Sequence, residues 1–274
     1  MKPSRGAVAG VISILAFVWT AGGATAQTAP AWAPAGRATI HPGVRMATQS
    51  GQCTSNFVFF DATNVYLGLA AHCAGEGAIS ETNGCETEVL PLGTPVQIEG
   101  ATAPGTVVYN SWVTMQENGE RNPDACFGND FALVRLDSAD HARVNPSVPF
   151  WGGPTGLDPS SSGGESVYSY GSSELRLGLE PLSPQLGVAL GQQSGGWNHH
   201  VLMIAPGIPG DSGSAYLGSD GGAMGVLSTI AVLPVPLTNY VSDLSRALAY
   251  MKAHTDAFDG VELAVGTEPF SPLL

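Results

Sequence analysis

The chain has 274 residues, 43% of them hydrophobic and only 12% charged, so it can bury a sizeable core and is not disordered. Glycine (36) and proline (20) supply about one residue in five, too many for a helical bundle and suited to short strands joined by tight turns. Ten basic residues against 23 acidic ones give a formal net charge of −13, which repels phosphate backbones and anionic lipid and excludes general nucleic-acid or membrane-surface binding.

The first residues read as an export signal. Lys2 and Arg5 form a short basic start, residues 7–20 are apolar, and Ala24-Thr25-Ala26 supplies the small-x-small pattern of a cleavage site. The apolar run is shorter than the roughly 20 residues a membrane span needs, and small residues follow it instead of a stop-transfer charge cluster. Cleavage after Ala26 predicts a secreted, extracellular chain with no membrane association. Its four cysteines, Cys53, Cys73, Cys85 and Cys126, are even in number, and an exported chain pairs them as two disulfides. Three connectivities are open, and spacing does not choose among them. No CxxC occurs, so a zinc knuckle has no support.

Short runs rich in Val, Phe, Tyr and Leu predict strands at 56–60, 65–70, 95–99, 106–110 and 130–136, separated by Gly, Pro, Asn and Asp clusters. A Gly/Ser/Pro-rich connector covers 151–165. A second group of strands follows at 166–170, 200–205, 214–217, 223–230 and 237–241, with Ser219-Asp220-Gly221-Gly222 as a hairpin turn. Ser242 is the predicted cap of a helix over 243–253, which puts Leu244, Leu248 and Met251 on one face and Lys252 and His254 near its end. Residues 255–274 read as a tail without a predicted element.

Three short segments carry the chemistry: Leu69-Ala70-Ala71-His72-Cys73 at a strand end, Asn129-Asp130-Phe131-Ala132-Leu133 opening a strand, and Pro209-Gly210-Asp211-Ser212-Gly213-Ser214 in a glycine-flanked turn. A serine hydroxyl is a poor nucleophile until a histidine takes its proton. The histidine in turn needs an acid to fix its tautomer and stabilise its charged form. Glycines beside Ser212 let backbone N–H groups converge where an oxyanion develops.

In these motifs the chain resembles the chymotrypsin-like (trypsin-like) serine proteases, and among them the secreted bacterial, actinobacterial-type members. The resemblance rests on Ala70-Ala71-His72-Cys73, on Asp130-Phe131-Ala132-Leu133 and on Gly210-Asp211-Ser212-Gly213, in the order His, Asp, Ser. It covers roughly residues 45–254. It implies an all-β fold of two six-stranded antiparallel barrels with the site in the cleft between them, and a C-terminal α-helix. On that plan residues 1–26 are the signal, 27–44 an N-terminal segment, 45–150 the first barrel, 151–165 the connector, 166–241 the second barrel, 242–254 the helix and 255–274 the tail. The resemblance makes His72 the general base, Asp130 its orienting acid and Ser212 the nucleophile, with the N–H groups of Gly210 and Ser212 as the oxyanion hole. It pairs Cys53 with Cys73, which leaves Cys85 for Cys126, and it makes Ser228 a substrate-aligning residue that also supports the acid. The expected partners are protein or peptide substrates, no cofactor or metal is implied, and the chain is expected to be monomeric.

The departures from the family bear on activation and specificity. Ser214 and Ala215 stand where eukaryotic members have Gly-Pro, and no Ile-Val-Gly-Gly activation site precedes Cys53, which leaves open which cation pairs with Asp211. Pro206 stands where trypsin-like members carry a pocket-floor aspartate, which disfavours Arg/Lys preference. Leu227 stands where glutamate-specific relatives carry a histidine, and Ile230 where wide-pocket members have glycine. With Pro206, Ser228, Thr229 and Ile230 lining the substrate site, the expected preference is for small or medium apolar residues before the scissile bond.

Other readings compete. His199-His200 invites a metal but has no spaced third ligand and reads better as the surface start of a strand. Glu76, Glu81, Glu86 and Glu88 read as a solvated acidic loop sooner than a calcium cup, since their spacing fits no defined motif. A protease-like fold that has lapsed into a binding role keeps the same motifs. A secreted α/β-hydrolase esterase would take Ser212, Asp243 and His254 in order, but Ser214 breaks the G-x-S-x-G elbow and no β-α alternation precedes Ser212.

Overall fold

The computed structural model describes residues 28–76, 81–158, 162–231 and 238–272, so the predicted signal segment lies outside the described residues. The first body is a curled antiparallel sheet of eight strands: β1 (Arg45–Thr48), β2 (Gly51–Thr54), β3 (Val58–Phe60), β4 (Val65–Leu69), β5 (Pro95–Ile98), β6 (Gly105–Asn110), β7 (Ala132–Arg135) and β14 (Glu262–Leu263). The order is β14-β3-β4-β7-β6-β5-β1-β2. The consecutive strands β2 and β3 lie toward opposite ends of that order, and only residues 55–57 join them. One bent run of chain therefore turns the two ends of the sheet toward each other, and the sheet curls into the first, half-closed barrel. Its interior is aromatic, with Phe59 edge-on to Phe131 at 5.5 Å and Tyr109 edge-on to Phe258 at 5.7 Å.

The second barrel closes on itself in the order β10-β13-β12-β11-β8-β9, built from β8 (Ser166–Tyr170), β9 (Pro184–Gln193), β10 (Asn198–Met203), β11 (Ala215–Leu217), β12 (Ala223–Ala231) and β13 (Thr238–Asp243). Val167, Ala189, Val201, Met203, Tyr216, Met224, Leu227 and Val241 fill it. The hairpin between β11 and β12 is the expected one: Gly221, at φ +81°, donates its N–H to the Gly218 carbonyl at 3.0 Å. The predicted all-β, two-barrel architecture is borne out.

Strand β9 was not foreseen. Its apolar residues Leu186, Val188 and Leu190 alternate, but they face outward, while Gln185, Gly187 and Ala189 are buried. A Cβ at Gly187 would stand 2.4 Å from the Leu202 carbonyl oxygen, so the strand passes close to β10 only as glycine. Helices α1 (Ser111–Glu117) and α2 (Pro123–Gly128) were also unforeseen; each is too short to display a periodic face. Both carry asparagine caps, Asn110 accepting from the Trp112 N–H and Asn122 from the Asp124 N–H. Helix α3 spans Leu244–His254, and its cap is Asp243, whose carboxylate accepts the Arg246 N–H at 2.8 Å, and not Ser242 as expected. The carboxylate also suits the positive end of the helix dipole.

The tail is a strap. Phe258 enters the first core, β14 adds to β3, and Ser147 Oγ accepts the N–H groups of Thr267 and Glu268, both at 2.9 Å. Ser271 then donates its N–H to the Trp151 carbonyl at 2.7 Å, and the Phe270 ring packs edge-on against Tyr168 of the second barrel at 5.3 Å. One segment thus binds the first sheet, the connector and the second barrel. Replacing the half-buried Phe270 removes that last contact, so Phe270→Ala should lower stability by about 2 kcal/mol, read as a lower urea midpoint at unchanged slope.

Candidate active site

His72 lies in a 3-10 turn (Ala71–Ala74) that follows β4. The turn is held by a disulfide from Cys73 to Cys53 of β2 and by Thr48 Oγ1, which donates to the Cys73 carbonyl at 2.7 Å. Asp130 lies between α2 and β7 and is 2% exposed. Its backbone is clamped by serines on both sides. Ser242 Oγ of β13 accepts the Asp130 N–H at 3.2 Å, and Ser111 Oγ accepts the Phe131 N–H at 3.1 Å.

The Asp130 carboxylate faces His72. His72 Nδ1–H donates to Oδ2 at 2.7 Å, and the His72 backbone N–H donates to Oδ1 at 3.0 Å. Ser228 Oγ adds a third bond to Oδ2 at 2.7 Å. Ser228 reaches it because β12 bulges between Leu227 and Thr229, which turns the serine off the β13 ladder and toward the first barrel. With Nδ1 committed as a donor, Nε2 of the neutral ring keeps its lone pair. Burial opposes the charged imidazole, but the Asp130 charge and hydrogen bond outweigh it, and the His72 pKa is raised. For Asp130, burial raises the pKa, while the His72 charge and the bonds from His72 and Ser228 lower it further, so the carboxylate is held below its ordinary range.

The Ser212 turn lies against the end of β2, which the Cys53–Cys73 disulfide ties to the His72 turn. The Thr54 N–H donates to the Ser212 carbonyl at 2.8 Å. Gly213 has φ +89°, and a Cβ there would stand 2.4 Å from the Thr54 carbonyl oxygen, so only glycine permits this approach. The half-buried Ser212 hydroxyl is not hydrogen-bonded to His72 in this structure, a contact that commonly tightens only around a substrate.

Two peptide planes in the turn are fixed from behind. The Pro209 carbonyl accepts from Ser173 Oγ at 2.5 Å, and the Asp211 carbonyl accepts from Ser214 Oγ at 2.5 Å. In a trans peptide the N–H points opposite to the C=O, so Gly210 and Ser212 turn their N–H groups away from these anchors. Neither N–H has an acceptor among the described residues. Gly210, at φ +97°, is held further by its own carbonyl, which accepts from Thr54 Oγ1 at 2.8 Å and Gln52 Nε2 at 3.0 Å.

The cation that sequence left open is Arg176. Its guanidinium holds both oxygens of the fully buried Asp211 carboxylate, with Nε to Oδ1 at 3.2 Å. The Ser173 N–H at 3.0 Å, the Ile208 N–H at 3.1 Å and Gln185 Nε2 at 3.3 Å complete the carboxylate's partners. One signal was there to be read: Arg176 is the lone lysine or arginine between Arg143 and Arg246. Cys85 is bonded to Cys126, which ties the segment before β5 to α2, two residues before Gly128 and the approach to Asp130.

One expectation is corrected. His199 is fully buried and not at the surface, with its Nε2 2.8 Å from Asp243 Oδ2, while His200 stacks on Tyr240 with ring centroids 4.9 Å apart. The esterase triad is not assembled: Asp243 serves His199 and the α3 cap, and His254 Nδ1 meets the Tyr250 carbonyl. Of the expected substrate residues, Ser228 is buried against Asp130, Pro206 and Thr229 are half-buried and Ile230 is exposed. Residues 232–237, which follow β12 in sequence, lie outside the described residues.

No protein-family model matches the chain, and no curated protein matches it in sequence. Solved structures do match it in shape. Thermobifida fusca protease A is 20% identical, with 83% of this chain and 99% of that chain covered at a TM-score of 0.53. A Nocardiopsis protease is 17% identical, with 82% and 98% covered at a TM-score of 0.50. A glutamic acid-specific serine protease, described as using a histidine triad in substrate binding, is 14% identical, with 82% and 100% covered at a TM-score of 0.52. The two antiparallel β bodies and these matches establish that the chain has the chymotrypsin-like fold of the serine proteases it resembles.

Proposed function

We propose that the chain is a secreted serine endopeptidase that hydrolyses peptide bonds through an acyl-enzyme. The observation that carries the proposal is the hydrogen-bonded line Ser228–Asp130–His72 beside a turn whose Gly210 and Ser212 N–H groups lack acceptors. Ser212 Oγ attacks the scissile carbonyl while His72 Nε2 takes its proton, and Asp130 stabilises the imidazolium that forms. The carbonyl oxygen, now an anion, is held by the N–H groups of Gly210 and Ser212. The intermediate collapses, the leaving amine takes the proton from His72, and water repeats the sequence to free Ser212. Two disulfides fit an oxidising compartment, and among the described residues no helix is long and apolar enough to cross a membrane. Protein or peptide substrates reach a monomer, and export is directed by residues 1–26. Pro206, Ser228, Thr229 and Ile230 favour small or medium apolar residues before the scissile bond.

A fluorophosphonate probe should label the secreted protein, and labelling should vanish in Ser212→Ala and in His72→Ala, with peptide hydrolysis down by about 10⁴-fold or more. A folded wild type that takes no label would instead support the lapsed, binding role. On a peptide panel, best cleavage after Arg, Glu or Phe would sink the specificity reading.

Rate and stability respond to pH with opposite signs. His72 must be neutral to accept the Ser212 proton, and its pKa lies above the ordinary 6.5, so activity should climb as pH rises through that region. The stability contributed by the His72–Asp130 attraction runs the other way: it is complete below about 6.5 and is lost as pH rises through the raised pKa. Comparing denaturant midpoints of wild type and His72→Ala across this range, beside the rate profile, checks both directions.

Arg176→Met leaves the Asp211 carboxylate buried without its cation, which should cost about 3–5 kcal/mol. The pair Arg176→Met with Asp211→Asn should recover part of that loss in a double-mutant cycle.

A further inference from the structure

The loop between β8 and β9, residues 173–183, has two faces. Ser173 and Arg176 turn inward: Ser173 anchors the Pro209 carbonyl, and Arg176 holds Asp211 while its Nη1 donates to the Leu182 carbonyl at 2.6 Å. Outward it presents Leu175, Leu177 and Leu179, which are 65%, 82% and 53% exposed. Burying a leucine favours folding, and three left in water within five residues give the fold none of that gain. Grouped exposed apolar side chains mark a surface that something covers.

The position of the loop says what covers it. The Glu174 N–H donates to Gln52 Oε1 at 3.0 Å, and Gln52 Nε2 donates to the Gly210 carbonyl at 3.0 Å, so one side chain links the leucine loop to the oxyanion glycine. The strand Ser228–Ile230 belongs to the other flank of Ser212, where the Gly213 N–H meets the Leu227 carbonyl. A peptide with its carbonyl oxygen on Gly210 and Ser212 and its acyl side along Ser228–Ile230 sends its leaving-amine side past Gly210, toward Gln52 and the leucines. Arg176 is spent on Asp211, and no Asp, Glu, Lys or Arg occurs from residue 181 to 210, so the loop's own charges on this flank are the exposed carboxylates Glu174 and Glu180, which bracket the leucines and disfavour an acidic residue there.

We propose that Leu175, Leu177 and Leu179 form the binding surface for the residues that follow the scissile bond, and that the substrate class is peptides with a bulky apolar residue directly after the cleaved bond. The inference rests on the serine-endopeptidase reading above. The segment that grips the leaving side of the substrate also carries Ser173 and Arg176, which fix the oxyanion turn, so one loop serves both binding and preorganisation.

The test uses the acyl-enzyme itself. An activated ester of N-acetyl-alanine acylates Ser212, and the acyl group is then shared between water and an added amino-acid amide. In the second case the Ser212 ester bond breaks, an amide bond forms to the incoming nitrogen, and its proton passes through His72 to Ser212. The ratio of transfer to leucinamide over transfer to glycinamide reads the leaving side alone, and a changed overall rate cancels from it. We expect the ratio to be about tenfold or more in the wild type, the scale of apolar side-chain selection, and close to one in Leu175→Ser/Leu177→Ser/Leu179→Ser. A wild-type ratio near one, or a ratio that survives the triple substitution, overturns the proposal. So does a wild-type dimer in sedimentation that the substitutions dissolve, which would assign the leucines to a second copy of the chain. Failure to release the ester's leaving group at all would strike the endopeptidase reading itself, and this inference with it.

Discussion

An ionised carboxylate taken out of water costs several kcal/mol unless close partners replace its hydration. Asp130 meets that demand with groups from both barrels. His72 comes from the first, Ser228 from the second, and Ser242 of β13 takes the aspartate's backbone N–H. The acid is therefore more than a member of the site. Its unmet bonds would be felt by both halves of the molecule, so satisfying it sets how the barrels sit together. The bulge at Ser228 makes sense on these terms, since an unbroken ladder would keep the hydroxyl in its own barrel.

Asp211 repeats the logic one residue before Ser212. It is fully buried, held by Arg176 and by two backbone N–H groups, and its neighbours Gly210 and Ser212 carry the free N–H groups. In the proposed mechanism charge develops at these donors, and rigid donors cost no reorganisation there, so on that reading the buried ion pair supports the turn's preorganisation. The sequence has no activation site before Cys53, and the structure shows none is needed for this pairing: the cation is internal, 35 positions upstream of Asp211.

How much was legible depended on whether the information was local. Strands such as β4 and β8 announce themselves because their apolar and aromatic residues pack inward. The segments around His72, Asp130 and Ser212 were legible because each motif is continuous in sequence. β9 was hidden because Leu186, Val188 and Leu190 face out while small residues line the barrel, which inverts the usual pattern. The α3 cap was misassigned by one residue since both Ser242 and Asp243 are good caps, and the choice was made by Ser242 being drawn to Gly128 and Asp130. Arg176, Gln52 and Ser242 act on the site from distant stretches of chain, and no local pattern marks such roles.

The strap has a consequence for the order in which the molecule can be completed. Strand β14 covers the edge of β3 although about 200 residues separate them, and Asn145 Nδ2 donates both to the Ala33 carbonyl at 2.7 Å and to Thr267 Oγ1 at 2.8 Å. Contacts of such long sequence separation carry the largest closure entropy and form late. A chain that emerges N-terminus first therefore has an open β3 edge and an unfilled place for Phe258 until residues 258–263 arrive. The first barrel, which holds both His72 and Asp130, is finished by a segment made long after its other strands.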